Sequence, residues 1–270
     1  MREITVAVVQ LAPTLCEVSD NLRRVSDFVD TICREQPVDL IVFPELVTSG
    51  FECGVRFTDL AEKVPGHTTN LLAQQAAGYS THIVFGLAVK EKVESILYNA
   101  AVMVGPDGDL IGEYRKTHLR GEERMAFRPG FRYPVLEAAF GPVGLMVGWD
   151  LAFPEVARSL ALDGAEVICL CASWELPFTE QWRALVIARA FENSVFVAAA
   201  NRIGQEPSYT FAGQSGIVGP GAEILGSMDQ ESEGYAVARI DLDEVRRMRE
   251  EQQLFQIRQP VTYRSLVRRY

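Results

Sequence analysis

Runs of β-branched and other apolar residues alternate with amphipathic helical stretches from one end of this chain to the other. That alternation restricts the fold to layered α/β architectures. Residues 4–10, Ile-Thr-Val-Ala-Val-Val-Gln, have the composition of an interior strand. Val18, Leu22, Val25, Phe28, Val29 and Ile32 recur at helical spacing and predict one buried helix face. A second buried strand is expected over 38–43, a helix over 69–78 and a third strand over 82–89. Residues 99–104 and 110–115 flank Pro106-Asp107-Gly108-Asp109, where Asp-Gly supplies the positive φ of a tight turn and predicts a hairpin. After a polar loop the order recurs: strand 143–149, helix 155–163, strand 166–172, helix 179–193 and strand 195–200. A late hairpin turning at Pro220-Gly221 and a strand over 235–241 close the pattern. Hairpins among crossover units predict mixed sheets rather than purely parallel ones.

No linker, repeat or low-complexity tract divides the chain, so a single domain over residues 1–270 is expected. Its final part, about 244–270 and ending in Arg268-Arg269-Tyr270, reads as a helix and an extended tail. Spaced apolar residues there (Leu254, Phe255, Ile257, Val261, Tyr263) point to a tail that packs on something, a dimer partner being one candidate.

Hydrophobic residues make up 48% of the 270, enough for a sizeable core, while the net charge of −10 argues against nucleic acid or an anionic membrane as partner. The basic residues between Arg258 and Arg269 are too sparse to reverse that. The five cysteines (Cys16, Cys33, Cys53, Cys169, Cys171) have neither a disulfide-like nor a ligand-like layout. Cys169 and Cys171, two apart on a strand, are expected to face opposite sides. His67, His82 and His118 are scattered and form no metal pattern. With no signal-peptide core and no membrane-length apolar run, the expectation is a soluble cytoplasmic protein. The absence of a P-loop or a Gly-rich strand–helix turn implies no cofactor and no metal.

Polar residues collect where a core would not want them, just past strand ends, and ligands of α/β sheets bind there. Glu45 follows the strand ending in Val-Phe-Pro, Lys116 ends a hairpin arm, and Gly148-Trp149-Asp150 lies between a strand and a helix. Taken singly, each has a plain structural reading. Glu45 could cap a loop, Lys116 could be a solvated charge, and Glu123 a surface residue between Glu122 and Arg124. Trp149 and Trp174 could be core tryptophans.

Taken in order, the three segments resemble the Glu–Lys–Cys triad of the nitrilase, or carbon–nitrogen hydrolase, superfamily. Residues 144–155 follow that superfamily's pattern G-x-x-I-C-[WY]-D-x-x-F-P-E, except that Gly148 stands at the nucleophilic cysteine. Residues 123–130 resemble E-[KR]-x-x-F-x-P-G, and 213–221 resemble G-x-S-x-I-x-x-P-x-G. The stretch Ala-Ala-Ala-Asn-Arg-Ile-Gly over 198–204 also fits, so the resemblance covers nearly the whole chain. It implies a four-layer αββα sandwich with mixed sheets, dimeric or larger, without a cofactor. The activity it implies is hydrolysis of a small carboxylic amide or N-carbamoyl compound to acid plus ammonia. True nitrile hydrolysis is the weaker expectation, since nitrilases proper tend to be longer.

By the same resemblance Glu45 would take the thiol proton and Lys116 would stabilise the oxyanion, with the Trp149 N–H as second donor. Glu123 would position substrate and water. Trp149, Trp174 and Phe51 are candidate walls of the substrate pocket, whereas Asp150 and Glu155 would fix the turn and the next helix. Glu52, Glu175 and Arg128 could each read a charged substrate end or be merely solvated.

A glycine cannot attack, so turnover is not expected from the chain as written. Cys171, on the neighbouring strand, would need the glutamate and lysine re-aimed to substitute. Two origins stay open: engineered removal of the nucleophile from an intact enzyme, or a natural pseudoenzyme that binds an amide or carboxylate without cutting it.

Overall fold

Alternation of side chains along the strands sets the architecture. The computed structural model describes residues 2–92 and 96–268, so Arg269 and Tyr270 lie outside the described residues. Among the described residues, twelve strands form two six-stranded sheets. They are β1 (Glu3–Gln10), β2 (Leu40–Val42), β3 (His82–Lys90), β4 (Leu97–Val104), β5 (Leu110–Arg115), β6 (Val135–Ala138), β7 (Gly141–Val147), β8 (Val167–Ala172), β9 (Phe196–Asn201), β10 (Gly216–Val218), β11 (Ile224–Ser227) and β12 (Gly234–Asp241). The helices are α1 (Val18–Glu35), α2 (Phe57–Leu60), α3 (His67–Tyr79), α4 (Glu123–Ala126), α5 (Pro154–Leu162), α6 (Thr179–Asn193) and α7 (Asp243–Gln252).

The first sheet has the order β12-β1-β2-β3-β4-β5 and the second β11-β10-β9-β8-β7-β6. In each, three parallel strands (β1, β2, β3 and β7, β8, β9) are flanked by antiparallel ones. The mixed sheets expected from the interspersed hairpins are therefore present. Both hairpins form at the expected turns, β4–β5 and β10–β11.

The sheets face each other through one continuous cluster that includes Val6, Val8, Leu40, Val42, Leu145, Val147, Cys169 and Ala198. The opposite face of the first sheet (Ala7, Val9, Ile41, Phe43) is covered by Leu22, Val25, Val29 and Ile32 of α1 and by Leu72 and Ala76 of α3. Leu160 of α5 and Trp182, Val186 and Ala190 of α6 cover Met146, Ile168, Leu170 and Val197 on the second. The layers run α, β, β, α. Each fully buried aliphatic side chain contributes about 1.5–3 kcal/mol, and a one-residue slip of an inner strand would exchange its two faces and disrupt the packing of both cores.

Strand periodicity also corrects one expectation. Cys169 and Cys171 both join the inter-sheet cluster, while Ile168, Leu170 and Ala172 face the helices. Residues i and i+2 of a strand share a face, so the two thiols cannot lie on opposite sides. The stretch read as a polar loop before β7 holds α4 and β6, both only four residues long and too short to show a period. In the C-terminal region α7 is anchored by Val245. Beyond it Phe255 packs on the second sheet's outer cluster, its ring 5.0 Å from the Arg158 guanidinium and 5.1 Å from that of Arg249. Ile257, Val261 and Leu266 remain exposed.

Among the described residues, no helix is long and apolar enough to cross a membrane.

Candidate active site

The carboxyl ends of β2, β5, β7 and β8 meet at one point. Glu45 follows β2 through Phe43-Pro44 and is 1% exposed. Its passage needs room on β3: a Cβ on Gly86 would lie 2.4 Å from the Glu45 Cα and 2.7 Å from the Pro44 carbonyl oxygen. Only glycine permits that approach. Lys116 directly follows β5, its N–H donating to the Asn99 carbonyl on β4 (2.8 Å). Glu123 opens α4.

Burial forces these charges to satisfy one another. Lys116 Nζ donates to Glu45 Oε1 (2.7 Å) and to both oxygens of Glu123 (2.7 and 2.8 Å). Asn99 Nδ2 donates to Glu45 Oε1 (2.6 Å) and Glu123 Oε1 (2.9 Å), and the Ser173 N–H to Glu45 Oε2 (2.8 Å). Two carboxylates thus share one ammonium at a point with little exposure to solvent. Burial pushes the Glu45 carboxyl above its ordinary range, with Lys116 opposing and Glu123 reinforcing. Burial works against the Lys116 charge too, but Glu123 and Glu45 outweigh it and raise that ammonium's affinity for its proton. The arrangement holds a firmly protonated cation beside a carboxylate with a strengthened appetite for protons.

Gly148 comes immediately after β7, with φ +47°, in the left-handed region that side chains avoid. A Cβ built on it would point into the charged cluster, 2.6 Å from Glu45 Oε2 and 2.9 Å from Lys116 Nζ. The short 3₁₀ turn that Gly148 opens, Gly148–Ala152, is pinned by Asp150, which is fully buried. Asp150 accepts hydrogen bonds from the Tyr114 hydroxyl (2.7 Å), the His118 N–H (3.0 Å) and the Val147 N–H (3.3 Å). His118 Nδ1 lies 2.8 Å from Asp150 Oδ1 and its ring stacks on Phe153 at 3.6 Å.

The cluster forms the floor of a cavity of ≈ 180 Å³. All seven residues singled out from the sequence line it: Glu45, Lys116, Glu123, Gly148, Trp149, Trp174 and Phe51. Trp149 and Trp174 stack at 5.0 Å, and the Trp174 indole N–H donates to the Phe178 carbonyl (2.8 Å). At the mouth, the Arg120 guanidinium lies 4.3 Å above Trp149 and 4.8 Å from Phe178, with its Nη1 3.4 Å from Glu175. Glu175 therefore borders the cavity, whereas Glu52 accepts from the Ser208 N–H (2.8 Å) and Arg128 lines a separate groove.

Reading the sequence missed Asn99, Ser173, Arg120 and Tyr209, whereas the 175–178 stretch, which reads as a loop bearing on specificity without a position, brings Glu175 and Phe178 to the cavity. Asn99 left a signal, a lone amide inside the apolar run of β4. Tyr209 left none, since it reaches the cavity from an irregular loop. Cys171 is buried in the inter-sheet core, and burial drives its thiol well above the ordinary range. Among the described residues no group of three or more His, Cys, Asp or Glu could hold a metal ion.

Comparison with known proteins agrees with this geometry. The family model for carbon–nitrogen hydrolases matches residues 5–250. A probable nitrilase of Schizosaccharomyces pombe is 40% identical over 266 residues, covering 97% of this chain and 98% of its own. The 2-oxoglutaramate amidase of Bacillus subtilis is 32% identical, with 91% and 94% covered. Among solved structures, a carbon–nitrogen hydrolase from Helicobacter pylori superposes with a TM-score of 0.93 at 26% identity, covering 99% of both chains.

Proposed function

Because the chain belongs to the carbon–nitrogen hydrolase family, we propose that its cavity receives a small carboxylic amide or N-carbamoyl compound and that Gly148 leaves it unable to cut. One observation carries this reading: the buried charges of Glu45 and Lys116 converge within 3 Å of the point where a side chain at position 148 would begin.

In a form with cysteine at 148, Glu45 takes the thiol proton as sulfur attacks the amide carbon. The carbonyl electrons move to oxygen, where Lys116 and the Trp149 N–H compensate the charge. When the C–N bond breaks, Glu45 returns the proton to the leaving nitrogen and ammonia departs. Water, oriented by Glu123 and deprotonated by Glu45, then attacks the thioester carbon; the C–S bond breaks, the acid leaves and Glu45 returns the proton to sulfur. Raised proton affinity at Glu45 suits both transfers. The small aromatic-walled cavity supports a short substrate, and the relative named 2-oxoglutaramate amidase supports the class.

The second reading, a pseudoenzyme that binds an amide or carboxylate without turnover, is favoured by the glycine itself, whose φ suits a residue without a side chain. Ammonia release from short amides and carbamoyl compounds separates the two. Release by Gly148→Cys, with a silent parent, supports the disabled hydrolase. Silence from a folded Gly148→Cys protein that still binds amides supports the pseudoenzyme.

A second copy of the chain is the partner we propose for the tail, whose Ile257, Val261 and Leu266 stay exposed. A monomeric mass by light scattering would refute it.

A further inference from the structure

Behind the Phe51 side of the cavity lies an ion pair that the chemistry above does not use. The side chains of Arg202 and Glu206 are both 1% exposed and bonded to each other. A buried pair of this kind gains little stability over an apolar replacement, because desolvation offsets the attraction. Its remaining contacts show where the carboxylate is spent. Glu206 accepts from the Phe51 N–H (3.0 and 3.2 Å to its two oxygens) and from the Glu52 N–H (2.7 Å). Its own backbone pairs with Tyr209, the Glu206 N–H donating to the Tyr209 carbonyl (2.8 Å). Phe51 and Tyr209 both line the cavity and meet edge to face at 5.3 Å.

Arg202 fixes that carboxylate from behind. Its Nη2 donates to the Pro13 carbonyl (3.2 Å) and its Nε to the Ile203 carbonyl (3.3 Å). The guanidinium lies 4.1 Å over Phe211, which contacts Phe51 edge to face at 5.9 Å. The Glu206 carboxylate thereby holds the Phe51–Glu52 backbone, while the peptide groups of the same residue pair with those of Tyr209, so one residue ties the two sides of the wall together.

We propose that Glu206 is a positioning residue that sets the Phe51–Tyr209 wall through its grip on the Phe51–Glu52 backbone, and so limits the length of the acyl group the cavity admits. This rests on the amide-binding reading of the cavity.

Two variants test it, after thermal unfolding shows that they fold. Glu206→Gln keeps the shape and loses the charge. Glu206→Asp keeps the charge for Arg202 but withdraws the carboxylate from the loop by one methylene. In both, amide hydrogen exchange at Phe51 and Glu52 is expected to quicken by about tenfold or more, the scale of a lost charged hydrogen bond. Affinities for acetamide, butyramide and hexanamide, measured by calorimetry on the chain with Gly148, should converge as the wall loosens. Unchanged exchange in Glu206→Asp would mean that the ion pair matters only as a pair, and overturns the proposal. So would faster exchange with the parent's order of affinities intact. A parent that binds none of the three amides refutes the amide reading instead, and the exchange rates then decide alone whether Glu206 holds the wall.

Discussion

The Glu45 carboxylate occupies the space a side chain at Gly148 would need: a Cβ there would stand 2.6 Å from Glu45 Oε2 and 2.9 Å from Oε1. Contacts this short do not survive between real atoms, so any residue other than glycine must displace the carboxylate. Displacement is resisted by Asn99, Lys116 and the Ser173 N–H, which all grip Glu45.

Gly148→Ala should therefore destabilise the protein by about 1–3 kcal/mol, the left-handed backbone and the crowding acting together. Gly148→Cys should shift stability in the same direction. Urea denaturation reads both. A variant as stable as the parent would show that Glu45 is not held against position 148.

Lys116→Met leaves two buried carboxylates without a cation and should cost about 3–5 kcal/mol near neutral pH. The sign of the pH dependence follows from Glu45. Its carboxyl is raised in the folded state, so the stability it contributes is complete below the ordinary value of 4.5 and is lost as pH rises through the raised value. Without Lys116 the carboxyl rises further and the loss steepens. Denaturation midpoints at pH 5 and pH 8 should accordingly diverge more in the variant than in the parent. Parallel curves would place the ammonium outside the cluster.

The long elements were legible because they repeat. Residues 22, 25, 29 and 32 mark the buried face of α1, and the apolar runs of β1, β3 and β8 show their pleat. The β6 strand and the α4 helix were hidden because four residues cannot display a period. At the site, Glu45, Lys116 and Gly148 could be picked out because their segments, each just past a strand, together resemble the superfamily's triad. Tyr209 and Arg120 could not, since loops bring them to the mouth and a loop's path is set by tertiary contacts. The two cysteines of β8 show a different failure, a misapplied period rather than a missing signal.

Asp150 gives a graded test of the turn. Asp150→Ala removes the acceptor for Tyr114, His118 and Val147 together, and should cost about 3 kcal/mol or more, at roughly 1–3 kcal/mol for each buried donor left unmatched. Tyr114→Phe removes one donor and leaves Asp150 its others, so about 1 kcal/mol is expected. Equal losses from both would mean that the tyrosine, not the carboxylate, holds the turn after β7.

Thiol reactivity tests whether any native cysteine could stand in for the missing nucleophile. Attack requires a thiolate in reach of solvent. Cys169 and Cys171 are fully buried between the sheets, and burial raises both thiols above their ordinary range. Cys16 and Cys53 are also buried, and half-buried Cys33 is pushed up to about 11. The folded parent should therefore react slowly with iodoacetamide at every thiol, and Gly148→Cys should add one site that reacts fast, because Glu45 can take its proton and the cavity admits the reagent. Rapid labelling of Cys171 in the folded parent would contradict its place in the core and restore it as a nucleophile for this site.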